Sequence, residues 1–192
     1  MAIQDSIVRL RRLIPWIDSA LPREAAAPLD WDALYEALLP RVYNFFMYRV
    51  GDAAQAEDLT STTFEKAWRA RDRYRHDRAG FSTWLFSIAR NVATDYFRRR
   101  RVELSLDEAH DSPDDAARLP ERVAEDHDER ARLAGLLARL PARERDLLAL
   151  KYGAGMTNRD IARQIGLTES NVGTIISRTV QALRRQWESA DQ

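Results

Sequence analysis

The 192 residues carry 30 Lys/Arg against 30 Asp/Glu, a formal net charge of zero, with no cysteine and only 7 Gly and 7 Pro. That length suits one or two domains, the missing cysteines exclude a disulfide scaffold and a thiol nucleophile, and abundant Ala, Leu and Arg favour helices. No apolar run approaches the roughly 20 residues that cross a bilayer, and the first residues lack a signal-peptide core, so a cytoplasmic chain without stable membrane insertion is expected.

In residues 1–30, Ile3, Ile7, Leu10, Ile14 and Ile17 fall on one helical stripe, and Pro15 should kink or end it. This N-terminal extension reads as an amphipathic helix packed on the next domain, with a docking helix or a weak membrane-surface element as the sharper readings. Residues 31–50 form an apolar helix with Leu34, Leu38, Val42, Phe45 and Phe46 inward, Pro40 as a kink and Gly51 as its end. Asp52 can cap a second helix that runs to about Ala70, with Leu59, Phe64, Ala67 and Trp68 as its apolar groups. Residues 71–80 are polar, basic and unpatterned, hence a loop. Residues 81–101 return to helix, with Trp84, Leu85, Ile88, Val92 and Tyr96 toward the core and four arginines, Arg98 to Arg101, at the end. Residues 102–128 hold two prolines, many carboxylates and few large apolar groups, the composition of a flexible acidic linker. Helices over 129–140 and 142–152 flank Pro141 and can pack Leu133, Leu136, Leu137 and Leu140 on Leu147, Leu148 and Leu150.

The stretch from Thr157 to Arg185 reads as helix, tight turn and second helix with a basic end. Thr157 and Thr168 can cap the two helices, and Gly166 supplies the left-handed residue between them. Val172, Ile175, Ile176 and Thr179 form the inner face of the second helix. Ser170, Asn171, Thr174, Ser177 and Arg178 lie on its outer face, where they can meet base edges and phosphates, and Arg184 and Arg185 extend the positive surface. Gly173, within that helix, costs about 1 kcal/mol relative to Ala.

The zero net charge conceals segregation. Residues 34–101 hold 13 basic against 8 acidic groups, residues 102–130 hold 3 against 11, and residues 131–187 hold 10 against 4. Two basic blocks suited to a polyanion therefore flank an acidic connector. Residues 69–101 interleave ten arginines with Tyr74, Phe81, Trp84, Phe86, Tyr96 and Phe97, a pattern that suits unstacked nucleic acid as well as a core; Trp84 is assigned to the core, and Tyr74 and Phe81 stay open between the two.

An enzyme is not indicated. His76, His110 and His127 stand apart from other metal ligands, no glycine-rich phosphate loop or nucleophile elbow is present, and Glu57 and Asp58 are adjacent and so point apart on a helix. No metal or cofactor is expected.

The runs AEDLTSTTFEKAWRA, FSTWLFSIARNVATDYFRRRR and LPARERDLLALKYGAGMTNRDIARQIGLTESNVGTIISR, in this order across about residues 31–187, closely resemble the extracytoplasmic-function (ECF) class of bacterial sigma factors. The resemblance implies an all-α chain: a region 2 helical bundle at 31–101, the acidic linker at 102–128, a region 4 helix-turn-helix domain at 129–187 and a tail at 188–192. It implies a subunit that binds core RNA polymerase, at the β′ clamp helices and the β flap, and that recognises the −35 and −10 promoter elements and promotes melting and initiation.

By that resemblance, Asp58, Leu59, Thr62, Phe64, Lys66 and Trp68 dock on the clamp helices. Arg73, Arg75, Asp77, Gly80 and Phe81 belong to the loop that captures a flipped −10 base. Arg90, Asn91, Thr94, Asp95 and Arg98 contact the melted non-template strand and upstream duplex. Ser170, Asn171, Thr174, Ser177 and Arg178 read the −35 element in duplex DNA, and Arg184 and Arg185 hold its phosphates. Arg143 and Arg145 are placed equally well to add phosphate contacts or to pair with Glu144 and Asp146. The linker resembles the segment that threads the polymerase channels, and an anti-sigma factor is the usual further partner. The competing reading is a two-domain helix-turn-helix regulator that binds duplex DNA without being a polymerase subunit.

Overall fold

The computed structural model describes residues 30–107 and 124–189, and every regular element among them is helical. The N-terminal stripe and the centre of the acidic segment lie outside the described residues. Helix α1 spans Trp31–Val50, α2 Ala53–Arg69 and α3 Phe81–Asp107, with a single 3₁₀ turn at Arg71–Arg73. After the gap come α4 at Ala124–Ala138, α5 at Ala142–Leu148, a π-helical turn at Ala149–Gly153, α6 at Asn158–Ile165 and α7 at Glu169–Ser189.

The boundaries follow local chemistry. The Asp30 carboxylate accepts from Ala33 N at 3.1 Å and that of Asp52 from Gln55 N at 2.8 Å, each satisfying an orphan donor of a first turn. Gly51 ends α1 at φ 72°, where its N–H donates to the Met47 carbonyl. Pro40 sits inside α1, which continues through it to Val50. Helix α3 runs six residues beyond the expected Arg101, and α4 starts at Ala124, so helix enters the supposed linker from both sides. Good helix formers in both flanks, Glu103, Leu104 and Leu106 among them, account for this.

Helix α1 is the spine of the molecule. One face packs Leu38, Val42, Phe45 and Phe46 against Leu59 and Phe64 of α2 and Leu85, Phe86 and Val92 of α3; the same cluster continues into Leu147, Leu148, Leu150, Met156, Ile161, Val172 and Ile176. The Phe45 ring meets those of Phe46 and Phe86 edge-on, at 5.1 and 5.9 Å between centroids. The two halves of the chain therefore share one core.

The expected helix over 142–152 changes character at Ala149. Ala154 N donates to Ala149 O at 2.8 Å and Met156 N to Leu150 O at 3.0 Å, a widened turn. The widening lays Gly153 directly on α1: a Cβ there would stand 2.8 Å from both N and Cα of Phe45. Next to it the Arg41 guanidinium, which burial pushes below its usual pKa, donates through Nε to the Ala154 carbonyl at 2.7 Å. Burial, and then the neighbouring Tyr152, raises the pKa of the Tyr48 hydroxyl at the same junction. At the far end, the Arg132 guanidinium of α4 stacks 4.2 Å over the Trp187 ring of α7.

Gly153→Ala is expected to destabilise the fold by about 1–3 kcal/mol, because the clash is with backbone. Gly135→Ala, mid-helix with nothing within 4 Å of the new methyl, is expected to stabilise by up to about 1 kcal/mol. Urea unfolding of the two variants beside the parent measures both signs.

Candidate nucleic-acid interface

The helix-turn-helix is built from caps and one glycine turn. Thr157 Oγ1 accepts from Asp160 N at 3.1 Å and donates to Asp160 Oδ2 at 2.6 Å, so the pair closes the start of α6. Gly166 turns the chain at φ 70°, and Thr168 Oγ1 accepts from Asn171 N at 3.2 Å to open α7. Val172, Ile176 and Thr179 are buried, with Ile175 half-buried beside them. Thr179 Oγ1 donates to Ile175 O at 2.9 Å and reaches Glu144 Oε2 of α5 at 3.2 Å.

The opposite face of α7 is left to solvent. Ser170, Asn171, Thr174, Ser177 and Arg178 are all exposed on one strip, Arg185 is exposed, and Arg184 is half-buried. Gly173 is not on this strip. Its Cβ position lies 3.3 Å from Asn158 Nδ2, so the glycine faces α6 and allows the two helices to approach. Arg159 of α6 and Glu169 of α7 join the two helices in an exposed pair at 3.6 Å.

Arg145 is neither a free phosphate ligand nor a partner of its acidic neighbours. Its guanidinium turns back to donate to the carbonyls of Ala138 and, at 3.0 Å, Leu140, so it caps the end of α4. Arg143 remains exposed.

In the first half, Arg73, Arg75, Asp77 and Gly80 are exposed in the loop before α3. Arg75 holds Asp77 at 3.2 Å, and Tyr74 braces the loop by donating to Ala79 O at 3.1 Å while its ring lies on Phe81 and Trp84. Phe81 requires a correction: it is 1% exposed, with Trp31 edge-on at 5.2 Å, so its ring is core and cannot stack on a base in this arrangement. The first residue of a helix beside a loop had no periodic context to reveal that. Asn91, Thr94 and Arg98 are exposed along α3 at helical spacing, with Asp95 half-buried among them. Asp95 pairs with Arg98 at 3.1 Å and, across to α2, with Lys66 at 3.8 Å.

A second surface lies on α1 and α2. Asp58, Lys66 and Trp68 are exposed and Thr62 is half-buried. Leu59 and Phe64 are buried in the core, so they shape this face from beneath and do not present themselves on it, a correction to their expected role. The sequence reading missed Tyr35. It is 45% exposed, with its ring 4.7 Å from Phe64, one turn along from the Trp31–Trp68 pair at 5.2 Å. Trp68, 51% exposed, carries Arg71 over its ring at 4.3 Å. The face thus has two aromatic rungs with polar groups around them.

Arg90 lies apart from the solvent-facing readers of α3. Its Nε meets Asp146 Oδ2 at 3.0 Å, and Nη1 donates to Gln164 O at 3.3 Å. The other oxygen of Asp146 takes Arg49 Nη1 at 3.2 Å. Arg49 is buried, donates also to Ala142 O at 3.3 Å, and lies 5.1 Å over the Phe97 ring. Burial lowers its pKa; Asp146 opposes that shift, and Arg145 and Arg90 add to it. Partners 48 to 97 positions apart in the chain left no signal in the sequence. Among the described residues, no group of three His, Cys, Asp or Glu side chains could hold a metal ion, and no helix is long and apolar enough to cross a membrane.

The comparisons with known proteins match both halves of the chain. The family model of Sigma-70 region 2 matches residues 34–103, and that of Sigma-70, region 4 matches residues 130–183. The ECF RNA polymerase sigma factor RpoE of Cereibacter sphaeroides is 34% identical over 154 residues, covering 79% of this chain and 81% of that protein. The ECF RNA polymerase sigma factor BldN of Streptomyces coelicolor is 32% identical over 176 residues, covering 91% of this chain, which spans 65% of BldN's own length. In solved structures, the sigma factor RpoE of Bartonella quintana, bound to the anti-sigma factor NepR, superposes with a TM-score of 0.66 at 23% identity, covering 83% of this chain and 97% of that one. CnrH bound to the cytosolic domain of CnrY gives 0.57 at 23% identity, covering 82% and 84%. The chain belongs to the ECF RNA polymerase sigma factors.

Proposed function

We propose that this chain is a promoter-specificity subunit of bacterial RNA polymerase, working in the cytoplasm without catalysis of its own. The observation that carries the reading is the solvent-facing strip of α7, held by two capped helices, in one chain with a separate aromatic and polar face on α1 and α2. Two surfaces on one chain suit a protein that must hold an enzyme and a DNA site at once.

In this reading, Asp58, Thr62, Lys66, Trp68 and the newly found Tyr35 dock on core polymerase, where two aromatic anchors within a polar surround match the anatomy of a binding hot spot. Ser170, Asn171, Thr174, Ser177 and Arg178 read the −35 element in the major groove, and Arg184 and Arg185 fix phosphates. Arg73, Arg75, Asp77 and Gly80 receive an unstacked −10 base, and Asn91, Thr94, Asp95 and Arg98 follow the strand beside it. Residues 31–101 and 129–187 are then the two readers. The likeness to sigma chains solved with anti-sigma factors supports such a partner here too.

Transcription from promoters selected out of a random library by core polymerase plus this chain tests the reading. Initiation that depends on the chain is expected; duplex binding without initiation would replace the reading with a free-standing regulator. Trp68→Ala and Asp58→Arg are expected to weaken core-polymerase binding about 30-fold, near 2 kcal/mol, with helical content unchanged. Unchanged binding would take both off the interface. Arg178→Ala is expected to lose about 1–3 kcal/mol on the selected −35 sequence and little on others; an equal loss on every sequence would make it a phosphate contact.

A further inference from the structure

Between α2 and α3, residues 71–80 carry two rings, Tyr74 and His76. Tyr74 is engaged within the protein: its hydroxyl donates to Ala79 O at 3.1 Å, and its ring lies 5.3 Å from Phe81 and 5.2 Å from Trp84. Phe81, just beyond, is buried. His76 is exposed. It stands at the tip of a tight turn, in which Arg78 N donates to Arg75 O at 3.0 Å and leaves His76 and Asp77 at the two central positions. Across that tip Arg75 meets Asp77 through Nε at 3.2 Å and Nη2 at 3.3 Å. The Tyr74–Ala79 bond closes the stem beneath, so the imidazole is carried on a short, braced arm.

A base drawn out of its stack needs hydrogen bonds to its edge and a flat face in place of the neighbours it has lost. Arg73, Arg75 and Asp77 supply charge and hydrogen bonds. Water competes for the same edge, so those bonds alone hold a base weakly. The flat face is what the loop lacks once Phe81 and Tyr74 are taken into the core and the stem. The Arg75 guanidinium is planar but is turned to Asp77. The remaining planar group at the tip is the His76 imidazole. Exposed Arg75 next to it and exposed Arg78 two positions on bring positive charge for the phosphates of the same nucleotide.

We propose that His76 is the platform on which the captured −10 base stacks, and so a determinant of promoter choice at that position. This rests on the sigma reading above and names the side chain of that site that meets the face of the base. The braced stem holds the ring out before DNA arrives, which lowers the ordering cost of capture.

The test uses core polymerase with the full chain, bound to fork DNA of a selected promoter whose non-template −10 strand is single-stranded. Each −10 position is replaced in turn by an abasic sugar, which keeps the phosphates and removes the base. His76→Ala is expected to weaken binding of the intact fork about 5- to 20-fold, in line with the loss of one stacked base. His76→Phe is expected to restore binding, and His76→Gln to stay as weak as His76→Ala. At one abasic position the parent and His76→Ala are expected to bind alike, because the stacked base is then absent from both. A phosphate contact or a folding defect would instead weaken binding equally on every strand. That result would overturn the proposal, as would a harmless His76→Ala or a restoration by Gln and not by Phe. If an abasic position weakens the parent while His76→Ala does not, base capture stands and His76 alone is excluded from it. If the parent binds every abasic strand as it binds the intact one, the base-capture reading fails and His76 falls with it.

Discussion

Everything in this molecule depends on α1 having two customers for its apolar surface. Leu38, Val42, Phe45 and Phe46 bury the helices of the first half, and the backbone between Asn44 and Phe45 is flat enough to receive the π-helical turn of the second. A glycine against a helix backbone brings two chains closer than any side chain allows, and dispersion contacts fall off steeply with distance. The same approach delivers Ala154 O to Arg41 and Asp146 to Arg49 and Arg90, so polar pairing at the junction follows from the packing.

The distribution of ion pairs sets what the protein can do with its charge. Exposed pairs such as Glu65–Arg69 and Arg75–Asp77 contribute little and exchange readily with a polyanion. The Asp146 site is different, because Arg49 and Asp146 are largely out of water, Arg90 is half-buried beside them, and the three groups together carry a net positive charge. The strip on α7 lies apart from that junction. Its groups already face solvent.

Local signals carried most of the fold. The caps at Asp52, Thr157 and Thr168 and the glycines at 51 and 166 stand where short-range chemistry predicts them, and the helical faces of α1 and α7 follow from spacing alone. The exposed reading strip was legible for the same reason, since its complement is a regular apolar stripe. What failed was information that lives between segments. The resemblance placed Leu59 and Phe64 on a docking face, and the residues alone left Phe81 open between core and base stacking, because motif position says nothing of which neighbour covers them. The turn from α to π geometry after Leu148 answers a contact with α1, about a hundred residues away. Arg145 had acidic neighbours in sequence yet bonds carbonyls of the preceding helix.

Gly173 gives the reading helix a property that its own outer face does not encode. Its Cβ position lies against the Asn158 amide, so the absent methyl leaves room for α6 and α7 to approach at this crossing. Helix α7, at 21 residues, is about 30 Å long, and pivoting it by ten degrees would swing its far end about 5 Å, more than a base-pair step. A residue off the exposed strip therefore bears on the direction in which that strip points.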